Sequence, residues 1–300
     1  MLEKPAVENV VILGLGLIGG SLARALRKSG FASRFIGYGH REGSLKRGLE
    51  LGVIDEYSLD LDEAVSRADM LVIATPTLVA SSLLEQILPR LKNLPHSPII
   101  TDVASVKGSL RDTAVRVHGS MPPNFVLGHP IAGSENSGVD AADENLFVHN
   151  RVILTPVEGN SNTAVELVRQ MWLSTGAEVV DMGVDEHDAV LAATSHLPHL
   201  LAYALVDALA QSDASDDIFR FAAGGFRDFT RIASSDPVMW RDISIANKSA
   251  LLQAIDLFSA QLGSLRSAVE SEDADALYET FSRAKAARDQ FSAILAARSD

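Results

Sequence analysis

Two short stretches carry residue types that could together remove hydrogen from a carbon. The first is Gly14-Leu15-Gly16-Leu17-Ile18-Gly19. A G-x-G-x-x-G run that follows a strand and opens a helix cradles the pyrophosphate of a dinucleotide. Its first glycine permits the tight turn, its second lets the backbone approach the phosphates, and its third allows close helix–strand packing. The helix N-terminus then faces the negative charge. The second stretch is Gly128-His129-Pro130-Ile131-Ala132-Gly133-Ser134-Glu135. It sets one histidine in a short, glycine-bounded loop. Pro130 holds the backbone of His129 extended, and an imidazole with an ordinary pKa of about 6.5 suits proton acceptance at cellular pH. Together they suggest a hydride passing to a dinucleotide while a hydroxyl proton passes to His129.

Three further runs supply partners for such a reaction. In Asp102-Val103-Ala104-Ser105-Val106-Lys107-Gly108, Ser105 either hydrogen-bonds a ligand hydroxyl or caps the next helix. In Ser195-His196-Leu197-Pro198-His199, the two histidines are three apart and share a helix face. With no third ligand in view, they read as the polar end of a pocket or as core histidines rather than a metal site. In Gly224-Gly225-Phe226-Arg227-Asp228-Phe229-Thr230-Arg231, Asp228 and Arg231 fall on one face and can pair. An arginine so oriented suits bidentate carboxylate binding. The interleaved Phe226, Phe229, Ile232 and Trp240 predict partial burial for this run.

These residues need a scaffold, and the apolar pattern outlines one. Strands are expected over 9–14, 34–38, 69–74, 98–103, 152–155 and 178–181, with helices from the glycine fingerprint to Gly30 and over 44–51 and 78–91. Strands alternating with helices predict an α/β fold with a parallel sheet. Ligands of such sheets lie at the carboxyl edge, so Thr75 and Asp102, at the ends of two strands, join the expected cofactor contacts. The second strand ends in Tyr38-Gly39-His40-Arg41-Glu42, with no acid at the position that usually binds the ribose of NAD. His40 and Arg41 could neutralise the 2′-phosphate of NADP. Arg41 could equally stack on adenine, with Glu42 near the ribose.

Past Asp181 no strand is expected. Apolar residues from Leu251 to Val269 and from Leu277 to Leu295 recur at steps of three and four, which marks helices packed within the chain or across a dimer seam. The expected domains are 1–182, dinucleotide-binding, and 183–300, helical.

Composition bounds the partners. The 300 residues carry a net charge of −13, which argues against a nucleic-acid binder. There is no cysteine, which removes disulfides and thiolate chemistry. The apolar stretch 191–210 contains His196, Pro198, His199 and Asp207 and reads as a buried helix rather than a membrane span. A cytoplasmic protein is expected.

The five motifs, in this order from about residue 9 to the C-terminus, resemble the prephenate/arogenate (cyclohexadienyl) dehydrogenase family of tyrosine biosynthesis. The resemblance implies a Rossmann-type domain followed by an all-α dimerisation domain, with NAD favoured and NADP possible as cofactor. It implies His129 as the base, Ser105 as the partner of the ring hydroxyl, Arg231 on a substrate carboxylate and Asp228 holding it. Ser134, Glu135, Ser195 and His199 would line the pocket, and Trp240 would lie near the dimer interface. The rival expectations are another two-domain hydroxy-acid or imine dehydrogenase and a non-catalytic dinucleotide sensor.

Overall fold

Val10-Val11-Ile12-Leu13 is buried at every position because its sheet is covered on both faces. Val10 and Ile12 belong to one core cluster, Val11 and Leu13 to the other. Side chains alternate across a strand, and each of these buried aliphatics stabilises the fold by roughly 1.5–3 kcal/mol. The computed structural model describes residues 5–92, 94–133, 136–213 and 215–299. Two compact units divide the chain, Met1–Leu251 and Leu252–Asp300.

In the first unit, strands β1 (Val7–Leu13), β2 (Ala32–Tyr38), β3 (Glu56–Ser58), β4 (Met70–Ile73), β5 (Ile99–Asp102) and β6 (Phe125–Val126) form one sheet in the order β3-β2-β1-β4-β5-β6. Every pairing in it is parallel. The intervening helices are α1 (Leu17–Ser29), α2 (Glu42–Glu50), α3 (Leu61–Ser66), α4 (Thr77–Leu91) and α5 (Gly108–His118). The chain reverses its direction of progress across the sheet between β1 and β4, which opens a crevice at their carboxyl ends.

The expected parallel sheet is therefore present, but a second sheet accompanies it. Strands β7 (Gly128–Pro130), β8 (Arg151–Leu154) and β9 (Glu178–Asp181) associate with β7 antiparallel to β8, and α6 (Asn162–Ser174) joins β8 to β9. His129 thus lies not in a loop but in β7, opposite Ile153. The extended backbone imposed before Pro130 is already strand-like, and Ile131 N donates to Arg151 O at 2.7 Å.

From Val184 onward the described residues are helical: α7 (Val184–Leu191), a π-helical turn (Ala192–His196), α8 (Leu197–Ala210), α9 (Ser215–Arg220), α10 (Gly224–Thr230), a 3-10 turn (Arg231–Ser234), α11 (Pro237–Ala246), α12 (Lys248–Glu270) and α13 (Ala274–Ser299). The π-turn has a local cause. Pro198 has no N–H to give the carbonyl four residues back, and its ring crowds that carbonyl. The stretch Val184–Ala210 is long and apolar enough to cross a membrane, yet only 22% of its most apolar window is buried. The expectation of a buried helix is corrected: His187, Asp188, Ala192, His196, Leu197 and Ala202 face inward, while Leu205 stays exposed. In the second unit, Leu257, Leu262, Phe281 and Phe291 are exposed within this chain.

Candidate active site at the carboxyl edge

The glycine run forms a cradle at the β1–β4 crevice. Gly14 has φ +103°, and a Cβ there would sit 2.8 Å from Ala74 O and 2.7 Å from Thr75 Cγ2. A Cβ on Gly19 would collide with the Gly14 carbonyl oxygen. Gly16, by contrast, has no atom within 4 Å of its Cβ direction, so space opens above it. It begins α1 without any side-chain cap. Leu17 and Ile18 are half-buried in the first turn, whereas Leu15 turns its side chain into the core beside Gly48 and leaves its backbone to the loop. Thr75 Oγ1 is buried with no hydrogen-bond partner. An uncapped helix start, open space at Gly16 and an orphaned hydroxyl fit the phosphates of a dinucleotide.

Beyond β2, His40 and Arg41 are exposed. Arg41 has no side-chain partner among the described residues. Glu42 is occupied: it lies 3.2 Å from Lys46 Nζ and accepts from Tyr57 OH at 3.1 Å.

Asp102, expected at the cofactor, is instead a structural anchor. It is fully buried and paired with Lys107 Nζ, and it accepts from Ala104 N at 2.9 Å and Gly128 N at 3.2 Å. Its carboxylate is saturated within the protein. Lys107 Nζ also donates to Gly128 O at 2.6 Å. Burial pushes the Asp102 carboxyl up and the Lys107 ammonium down, each opposed by its partner's charge. This pair clamps the end of β5 to the residue before His129.

His129 is buried, 8% exposed. Its Nδ1 lies 2.9 Å from His187 Nε2, and His187 Nδ1 lies 2.8 Å from Asp188 Oδ1. Asp188 in turn accepts from Lys107 N at 2.9 Å and Gly108 N at 2.8 Å. Burial, then the neighbouring charges of His187, Lys107 and His196, hold His129 well below 6.5. Burial pushes Asp188 up, but the His187 bond and the two backbone N–H groups outweigh it and leave its carboxyl below the ordinary range. Asn247 Nδ2 donates to Asp188 O at 2.8 Å and lies 3.1 Å from His196 Nδ1. Burial takes His196 down to about 4.

Sequence reasoning passed over His187, Asp188 and Asn247 and gave Lys107 no role. His187 is 58 residues from His129, and no spacing rule joins them. The adjacent His-Asp pair was the only signal in the sequence.

Ser105 is half-buried, and its hydroxyl has no partner among the described residues. The capping alternative is corrected: α5 begins at Lys107 with no side-chain cap. Ser195 is half-buried at the π-turn, and its carbonyl oxygen lies 2.9 Å from His199 Nδ1. The His199 ring stacks on Trp240 at 3.5 Å and 19°. Burial lowers the pKa of His199, and the nearby Arg231 charge adds to the shift.

The expected Asp228–Arg231 pair does not form. Asp228 lies 3.3 Å from Arg227 Nε, with both side chains largely exposed, and Arg231 is exposed as well. α10 ends at Thr230 and the chain tightens into a 3-10 turn at Arg231, which breaks the α-helical facing the expectation relied on. Ser134 and Glu135 lie outside the described residues.

A doubly wound sheet with a glycine cradle at its switch point, and a buried histidine held at the same edge, defines a dinucleotide-dependent dehydrogenase. Residues 22–181 match the model of the prephenate dehydrogenase nucleotide-binding domain, and residues 184–283 that of the prephenate dehydrogenase dimerization domain. The chain belongs to the prephenate dehydrogenase family. It is 42% identical to the prephenate dehydrogenase of Bacillus subtilis, covering 94% of this chain and 76% of that protein. It is 36% identical to the cyclohexadienyl dehydrogenase of Zymomonas mobilis, covering 94% and 95%. The crystal structure of the Aquifex aeolicus prephenate dehydrogenase with hydroxyphenyl propionate and NAD+ matches at a TM-score of 0.87 and 36% identity, covering 95% of this chain and 98% of that one.

Proposed function

We propose that this chain catalyses the oxidative decarboxylation of prephenate, arogenate or both, with NAD as the hydride acceptor. The observation that carries the reading is His129: a buried imidazole, low in pKa, clamped through Gly128 to the edge that bears the Gly14–Gly19 cradle. The cofactor, when bound, supplies the site that takes the hydride from the hydroxyl-bearing ring carbon. Gly16 and the uncapped start of α1 would hold its phosphates, and the unpartnered Thr75 hydroxyl would be free to bond the group.

His129 accepts the proton of the ring hydroxyl, a general-base contribution worth about 10²–10⁴-fold. Its depressed pKa keeps the imidazole neutral and ready at pH 7. Ser105, with its hydroxyl unspent, orients that same oxygen. Loss of carbon dioxide from the quaternary carbon leaves its electron pair in the ring, which becomes aromatic, and the proton on His129 can return to the phenolate. Arg231 binds a substrate carboxylate. Ser195, His199 and Trp240 line the pocket on the helical side.

The helical part, 183–300, is the substrate and dimerisation domain. The exposed apolar residues of α12 and α13 suit a homodimer seam, and a cytoplasmic enzyme fits this assignment. Steady-state kinetics over prephenate or arogenate with NAD or NADP test the reading. NADP is a real arm of the experiment because no free carboxylate ends β2 and Arg41 is unpaired. Absence of turnover in all four combinations overturns the proposal.

A further inference from the structure

The geometry points to His187 and Asp188 as positioning residues that decide which nitrogen of His129 is free to take a proton. This rests on the proposed role of His129 as the base.

The hydrogen-bond relay starts at the carboxylate of Asp188. An ionised carboxylate only accepts hydrogen bonds. Asp188 Oδ1 lies 2.8 Å from His187 Nδ1, so that nitrogen carries the hydrogen. A neutral imidazole with a hydrogen on Nδ1 has only a lone pair at Nε2. His187 Nε2 lies 2.9 Å from His129 Nδ1, so His129 must donate there and carry its hydrogen on Nδ1. The remaining nitrogen, His129 Nε2, is left as the acceptor. One fixed carboxylate thereby sets the tautomer of two rings in series. The logic is that of a carboxylate orienting a catalytic histidine, lengthened here by a second imidazole.

The carboxylate is itself fixed. Lys107 N and Gly108 N, at the start of α5, hold its two oxygens, and Asn247 holds the backbone carbonyl of Asp188. The titratable groups around the two rings are Lys107 and Asp102 from the β5–α5 connection, Asp188 from α7 and His196 from the π-turn. Lys107 is paired with Asp102, and His196 is kept neutral by burial, which leaves Asp188 as the unneutralised charge behind the rings. When a proton arrives at His129 Nε2, the imidazolium keeps its Nδ1–H bond to His187 and faces that charge. One proton enters, and none has to leave.

A purely structural pair would pin α7 to α5 and leave the His129 tautomer indifferent to its loss. Long-range 1H–15N spectra of the full chain labelled with 15N-histidine separate the two. The His129 signal is assigned by its disappearance in His129→Asn. The wild-type protein is expected to show His129 with its hydrogen on Nδ1. In His187→Phe that preference is lost, and kcat falls by about 10- to 100-fold with the substrate KM little changed. His187→Gln, whose carboxamide oxygen accepts from Nδ1, recovers part of the rate. A wild-type His129 protonated on Nε2 overturns the inference without any variant. So does His187→Phe with an unchanged tautomer and unchanged kcat. The wild-type spectrum needs no substrate, so failure of this inference is distinct from failure to turn over prephenate or arogenate.

Discussion

The two ends of the candidate site are built differently. At the β5–β7 end a buried network is bonded together: Asp102 to Lys107, Gly128 to both, and His129 through His187 to Asp188. At the α10–α11 end Arg227, Asp228 and Arg231 are exposed, and the one ion pair among them joins adjacent residues. The first end has its geometry set by the fold of a single chain. The second offers a charge on a surface, with the stacked His199–Trp240 rings held by packing beside it. Proton removal needs fixed geometry, since acid–base catalysis depends on reach and alignment. Carboxylate binding needs a guanidinium within range, and an exposed one serves.

The contrast can be broken at several points. The largest effect is expected at the base: His129→Asn lowers kcat by about 10²–10⁴-fold with a far smaller change in KM, and near-normal turnover would sink the assignment. Next comes the clamp. Lys107→Met leaves the buried Asp102 carboxylate unpaired and is expected to cost about 3–5 kcal/mol of stability, read from urea unfolding. A loss below 1 kcal/mol would mean that the pair does not hold the edge. At the exposed end the expectation reverses. Arg231→Ala raises the substrate KM by roughly 10- to 100-fold, the worth of a charged hydrogen-bonded contact, while thermal unfolding stays where it was. A large drop in Tm would show that this end is as built-in as the other.

The smallest effect is a flat line. The pKa of His129 is lowered by folding, so the neutral base persists as pH falls and is lost only at the depressed value. kcat/KM at pH 6.0 should therefore stay within about twofold of its value at pH 7.5. A histidine titrating at an ordinary 6.5 would retain only about a quarter of its base form there.

How much of this was legible in the sequence follows the same division. Local signals held. The glycine run sits after a strand and opens a helix, the apolar runs became strands that are buried except at 178–181, and the elements after Val184 are helical among the described residues. Signals that needed a partner far along the chain failed. Asp102 at a strand end looked like a cofactor contact because nothing in its own segment shows that Lys107 and Gly128 saturate it. His187 and Asp188 drew no attention because their meaning lies in His129 and in the N–H groups of α5. β7 was missed as a strand because three residues carry no period, and β3, α3 and β6 are similarly short. The Asp228–Arg231 pairing assumed an uninterrupted α-helix and met a 3-10 turn.

The π-turn at Ala192–His196 sets a phase angle between the two ends. His187 and Asp188 precede it, and Ser195 and His199 lie within or after it. Each residue of a regular α-helix advances by about 100° and 1.5 Å. Running the same residues on as regular α-helix, with a residue at 198 able to donate its N–H, would turn everything after the wide turn by about one residue's rotation. His187 would keep its bond to His129, while His199 would swing by about that angle away from Trp240. The proton-handling chemistry would survive intact, aimed past the pocket it serves.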